Sequence, residues 1–222
     1  LESKRLAGEK AAEFVKDGMV VGLGTGSTVY YTIMKLAERM KQGLVFKGVP
    51  TSVETEKIAA RLGIPLISKG EINKIDLGID GADAIDPDFV LIKGGGGALL
   101  REKIVAEAAD QFIVVADPGK FVPNLADVEI PVEVIPFASE LTEKHLKSLG
   151  CHTKLRVNNN TAFITDNGNY ILDCKFEEIK NPKELETQIL RIPGVAENGL
   201  FTDMANKIIT LNALGEVVIL AK

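Results

Sequence analysis

Residues 79–103, IDGADAIDPDFVLIKGGGGALLREK, place two carboxylates (Asp80, Asp83), a lysine (Lys93), four consecutive glycines (Gly94 to Gly97) and a glutamate (Glu102) in one βαβ-sized stretch. Apolar runs lead into the clusters, 75–79 before the aspartates and 89–92 before Lys93. Buried parallel strands read this way, and open α/β sheets carry their chemistry at the C-terminal ends of such strands. Both acids and the lysine are therefore expected to leave one sheet on the same edge, facing a glycine loop that opens a helix over about 98–109. That is an active-site pattern rather than a packing pattern.

Upstream, 3–16 reads as a helix with a mixed apolar stripe, and Asp17-Gly18 turns the chain into a strand over 19–23. Gly22-Leu-Gly-Thr-Gly-Ser-Thr28 follows, then a helical run over 29–41. Strand, glycine loop and helix in this order aim backbone N–H groups at a phosphate, with Thr25, Ser27 and Thr28 adding hydroxyls. Val29 stands where GxGxxG needs its last glycine, and no Gly-Lys-Ser/Thr is present. A single phosphate fits this loop better than a nucleotide; a tight turn without a ligand is the plainer alternative.

Strands are expected over 44–49, 64–67, 75–79 and 112–116, with Thr51-x-x-Glu54 as a capping box for a helix to Leu62. Strands alternating with helices give a doubly wound, mostly parallel, Rossmann-like α/β sheet. After Asp117-Pro118-Gly119-Lys120 the pattern changes: strands over 130–135, 152–157, 170–176 and 195–201, helices over 139–149 and from Asn181 to Arg191, and a hairpin over 161–169. Without that hairpin the order is βαββαβ, a smaller ferredoxin-like α+β domain. The expected division is a Rossmann-like domain of 1–128 plus 203–222 and a small domain of 129–202, the final hairpin (207–211, 216–220) returning to the large one.

The 222 residues can bury a sizeable core, and the formal charge of −5 gives no basic field, which argues against nucleic acid. Cys151 and Cys174 are isolated and read as reduced core thiols of a cytosol-like compartment. With only His145 and His152 beside them there is no zinc constellation, and an Asp/Glu metal site has no motif behind it. No apolar run approaches the roughly 20 residues of a membrane span.

Each feature of 79–103 has a plain reading as well. Asp80-Gly81-Ala82-Asp83 is as readily an Asx turn, Lys93 the polar end of a strand, and Glu102 a charge suited to a helix N-terminus. Four glycines in a row are harder to dismiss, since each costs roughly 0.5–1 kcal/mol relative to alanine in regular structure. Together the groups suit proton abstraction beside a carbonyl: a carboxylate base, a cation or amide cluster for the enediolate oxygen, and further acids.

The motifs GLGTGST (22–28), DGAD (80–83), KGGGGALLREK (93–103), ADPGK (116–120), PVEVIPFA (131–138), TDNGNYILD (165–173) and IPGVAENGLF (192–201) resemble ribose-5-phosphate isomerase, type A, in order over nearly the whole chain. The resemblance implies interconversion of D-ribose 5-phosphate and D-ribulose 5-phosphate through an enediolate, without metal or coenzyme, in the non-oxidative pentose phosphate branch. It implies Glu102 as general base, and Asp80, Asp83 and Lys93 as groups on the sugar oxygens that assist ring opening and proton transfer. Gly81, Ala82 and Gly94, Gly95 and Gly96 would line the sugar; Thr25, Gly26, Ser27 and Thr28 would hold the phosphate, with Lys120 and Lys4 as further cations. A homodimer or homotetramer is implied, in the cytoplasm, or in a plastid had a transit peptide been removed; no nucleic acid or membrane partner is.

An amino-sugar phosphate deaminase or coenzyme A transferase of the same superfamily would need a different histidine and aspartate arrangement, or room for the coenzyme. A non-enzymatic sugar-phosphate sensor would need a basic helix-turn-helix segment, and none precedes Val20.

Overall fold

The run Val20–Leu23 lies inside a six-stranded sheet of the computed structural model, which describes residues 2–222. It is parallel to Lys47–Pro50 on one side and to Leu77–Gly81 on the other. Phe112–Val115 and Lys207–Leu211 continue the parallel order, and Val217–Ala221 closes the edge antiparallel. The final hairpin therefore joins the large sheet. Strand residues Val21, Leu23, Ile79, Ile113 and Val115 pack with Ala7, Ala11, Val29, Ile33 and Leu36 of the helices Glu2–Ala12 and Ser27–Lys41. These two helices run unusually close. A side chain on Gly8 would meet the Thr28 carbonyl at 2.6 Å, and the Thr32 hydroxyl donates to the Gly8 carbonyl at 2.8 Å.

Several local expectations shift, each for a visible reason. The strand expected over 44–49 begins only at Lys47, because the Leu44 N–H closes the preceding helix on Arg39 and the Val45 N–H is taken by Asp17. The expected strand at 64–67 does not form beyond a single bridge from Leu66 to Gly48; Pro65 has no amide to donate. The expected strand 75–79 moves to Leu77–Gly81, so Asp80 belongs to the strand itself. Ser52, not Thr51, caps the helix Val53–Arg61, accepting the Thr55 N–H at 3.0 Å. Thr51 is drawn away because its N–H and hydroxyl both bond the Leu23 carbonyl.

The chain groups into two units, one of residues up to Ala82 with Arg101–Lys120 and Met204–Lys222, the other of Asp83–Leu100 with Phe121–Asp203. In the second, Ile130–Val134, Ser139–Ser148, Cys151–Leu155, Tyr170–Phe176, Pro182–Leu190 and Val195–Asn198 give a four-stranded antiparallel sheet in the order fourth, first, third, second. That is the ferredoxin-like order. Asn181 caps its second helix with Pro182 in the first turn, as the sequence indicates. The small hairpin turns instead at Asn159 and Asn160, both at positive φ, and pairs Val157–Asn158 with Thr161–Ala162. Cys151 and Cys174 are free and buried, on one face of neighbouring strands. Hydrogen bonding between the two thiols holds Cys174 well above the ordinary thiol range.

One correction bears on the site. Leu91–Ile92 is not a strand of the parallel sheet. Phe89 takes a positive φ and the Val90 N–H turns back onto Asp86, leaving two residues that pair antiparallel with Ala84–Ile85 and Leu200–Phe201. Asp83 and Lys93 group with the second unit.

Candidate active site

Asp80 sits at the end of the central strand Leu77–Gly81 and is 2% exposed. Its Oδ1 accepts the Thr25 N–H at 3.0 Å and the Gly81 N–H at 2.7 Å. The glycine loop is built tightly around this carboxylate: a Cβ on Gly24 would lie 2.2 Å from Asp80 Oδ1. Gly26, at φ 121°, then starts the helix Ser27–Lys41 without a side-chain cap, so the first amides of that helix remain to be satisfied from outside.

The hydroxyls of the loop divide their tasks. Thr25 turns inward, its Oγ1 lying 2.8 Å from Thr51, 2.9 Å from Ser52 and 3.2 Å from Thr55. Thr55 in turn donates to the Gly24 carbonyl at 2.8 Å. Thr28 is buried in the first turn. Ser27 is thus the loop hydroxyl that faces outward, and Lys4 Nζ donates to it at 2.9 Å. Lys4, Gly24, Gly26, Ser27, Tyr30 and Thr55 line a cavity of about 360 Å³. The Thr51-Ser52-Thr55 cluster was legible only as a cap, although its spacing places three hydroxyls near one point. Lys120 is half-buried in the turn Pro118–Lys120, and no hydrogen bond ties its side chain to the loop among the described residues.

In the second unit, Asp83 lies between the strands Leu77–Gly81 and Ala84–Ile85 and accepts the Gly95 N–H on Oδ2 at 2.7 Å. Lys93 is 2% exposed; its N–H donates to the Gly199 carbonyl and its ammonium stands 5.5 Å from the centroid of the Phe201 ring. Such a cation–π contact suits a charge removed from water. Gly94 and Gly97 take positive φ, Gly95 and Gly96 are exposed, and the Gly97 N–H closes a turn on the Gly94 carbonyl. Glu102, which belongs to the first unit, occupies the first turn of the helix Leu99–Ala108 and is 4% exposed. Asp80 is thereby tied to the phosphate-type loop and Asp83 to the glycine run, while Gly81 and Ala82 form the half-buried link between the two acids.

The first unit thus holds a buried carboxylate early in a helix and an aspartate beside an uncapped glycine-loop helix, and the second a buried lysine over a ring and an aspartate held by a glycine amide; these are kinds of group that acid–base chemistry on a phosphorylated sugar uses. Among the described residues no helix is long and apolar enough to cross a membrane.

The model of the family Ribose 5-phosphate isomerase A (phosphoriboisomerase A) matches residues 47–215. Ribose-5-phosphate isomerase A of Bacillus mycoides (strain KBAB4) is 54% identical over 216 residues, 96% of this chain and 98% of that protein. Among solved structures, ribose 5-phosphate isomerase from Plasmodium falciparum superposes with a TM-score of 0.95 at 39% identity, covering 100% of this chain and 99% of that one. A D-ribose-5-phosphate isomerase in complex with phospho-erythronic acid gives 0.95 at 41% identity, covering 100% and 98%. The chain belongs to the ribose 5-phosphate isomerase A family.

Proposed function

We propose that the chain interconverts D-ribose 5-phosphate and D-ribulose 5-phosphate, an aldose–ketose isomerisation, with Glu102 moving the proton between C1 and C2. The observation that carries this reading is the Asp80 carboxylate, whose Oδ1 holds the amide of the phosphate-type loop. An acid for the sugar end and amides for the phosphate end are thereby built on the ends of two neighbouring parallel strands. Lys93 and the amides of Gly94 and Gly96 stabilise the enediolate oxygen, the Gly95 N–H being held by Asp83, and Asp80 and Asp83 assist ring opening and carry protons between the sugar oxygens. The amides after Gly26, the Ser27 hydroxyl and Lys4 take the phosphate, and Lys120 adds positive charge. A relative is solved with phospho-erythronic acid, which pairs a phosphate with a carboxylate, a charge pattern like that of the enediolate. The enzyme works as a homodimer or homotetramer in the cytoplasm, in the non-oxidative pentose phosphate branch.

The phosphate half is tested with Lys4→Met and Ser27→Ala, measuring ribulose 5-phosphate formation with EDTA present. Each removes one contact to a charged group, worth about 1.5–3 kcal/mol, so KM should rise about tenfold or more with kcat nearly constant. An unchanged KM in both variants would place the phosphate elsewhere.

A further inference from the structure

Arg156 belongs to none of the groups discussed so far, yet its guanidinium makes four hydrogen bonds within the second unit. Its Nε donates to Asp173 Oδ2 at 2.9 Å and its Nη2 to Asp173 Oδ1, a two-pronged carboxylate pair that is largely buried. The remaining nitrogen, Nη1, donates to the Gly94 carbonyl at 2.7 Å and to the Gly95 carbonyl at 3.1 Å. Phe163 completes the clamp: its ring centroid lies 6.0 Å from the guanidinium carbon, and a Cβ on Gly97 would strike the ring at 2.4 Å.

The consequence follows from peptide geometry. The Gly94 carbonyl and the Gly95 N–H are the two ends of a single planar, trans peptide group. Arg156 holds the oxygen end, and the nitrogen end donates to Asp83 Oδ2 at 2.7 Å. With glycine on both sides, no side chain stops this peptide from rotating, and the one local backbone contact on its oxygen among the described residues is the Gly97 N–H at 2.9 Å. A rotated peptide would withdraw the N–H from Asp83 and present a carbonyl oxygen to the carboxylate instead.

We infer that Arg156, oriented by Asp173, is a positioning residue for the isomerisation: it locks the Gly94–Gly95 peptide with its N–H toward Asp83, fixing that carboxylate for proton transfer. The inference rests on the reading of Asp83 as a group acting on the sugar. Lysine cannot take this place. One ammonium on a flexible stem cannot span a carboxylate and two carbonyls in a common plane.

The test compares Arg156→Ala, Arg156→Lys, Asp173→Asn, Asp83→Asn and the double variant Arg156→Ala/Asp83→Asn. Readouts are kcat, KM, the unfolding midpoint and hydrogen exchange of the Gly95 amide. A misplacement of about 1 Å costs up to roughly 10²-fold in rate, so Arg156→Ala should lose about 10- to 100-fold in kcat with KM within about threefold. Arg156→Lys should fail to restore it, Asp173→Asn should fall in the same direction, and Gly95 exchange should quicken at least about tenfold in all three. In the Asp83→Asn background, removing Arg156 should cost no more than about twofold further, because both act through one carboxylate. A folded Arg156→Ala variant with near-normal kcat and a protected Gly95 amide overturns the inference, as do losses that multiply in the double variant. Full activity in Asp83→Asn alone would instead overturn the reading of Asp83, and Gly95 exchange would still decide whether Arg156 locks the peptide.

Discussion

Glu102→Gln should lower kcat at least about 10²-fold while leaving KM nearly unchanged. The carboxylate is 4% exposed in the first turn of its helix, and glutamine keeps its length, shape and most of its hydrogen-bonding capacity. What glutamine lacks is the ability to take a proton from carbon at neutral pH. A loss confined to kcat therefore reports the base itself rather than binding. Ribulose 5-phosphate formation is measured for both proteins with EDTA present, and matching unfolding midpoints establish that the variant is folded. Equal rates for the two proteins would move the base to Asp80 or Asp83. A charge placed only to suit a helix N-terminus predicts a different pattern: a loss of about 0.3–1 kcal/mol of stability and little change in rate.

How far the chain could be read beforehand depends on the range of the forces involved. The parallel sheet was legible because buried strands of Val, Ile and Leu alternate with amphipathic helices over most of the first half. The ferredoxin-like order was legible for the same reason, and the Asn181-Pro182 cap because its donors and acceptors lie within three residues. Reading stopped where partners are distant in sequence. Nothing near Leu91 announces that its ladder partners are Ile85 and Phe201, so the lysine that follows was assigned to the wrong sheet. The loop spacing offers the Thr25 hydroxyl to a phosphate, whereas Thr51, Ser52 and Thr55, some 26 to 30 positions away, draw it inward. Arg156 acts on Gly94 across 62 positions and sits beside an ordinary strand end, so only coordinates reveal it. The chemistry-bearing side chains were legible in kind, since an acid, a lysine and glycines leave few other uses for one another. Their supports were not.

Lys93→Met should lower kcat by about 10²–10³-fold, the range for removing one preorganised donor from a developing oxyanion. Methionine fills nearly the same volume, so the substitution removes the charge above Phe201 and little packing. At 2% exposure the ammonium interacts through a low local dielectric, where one positive charge stabilises a nearby oxyanion far more than it would in water. The division between kcat and KM then identifies when the charge acts. Charge that appears only in the enediolate would be felt as a fall in kcat at constant KM, whereas a lysine binding the sugar oxygens of the ground state would raise KM as well. A kcat within about threefold of the parent would remove Lys93 from the chemistry. The enediolate oxygen would then be left to the amides of Gly94 and Gly96, and the lysine would be the polar end of a short strand, held over an aromatic ring.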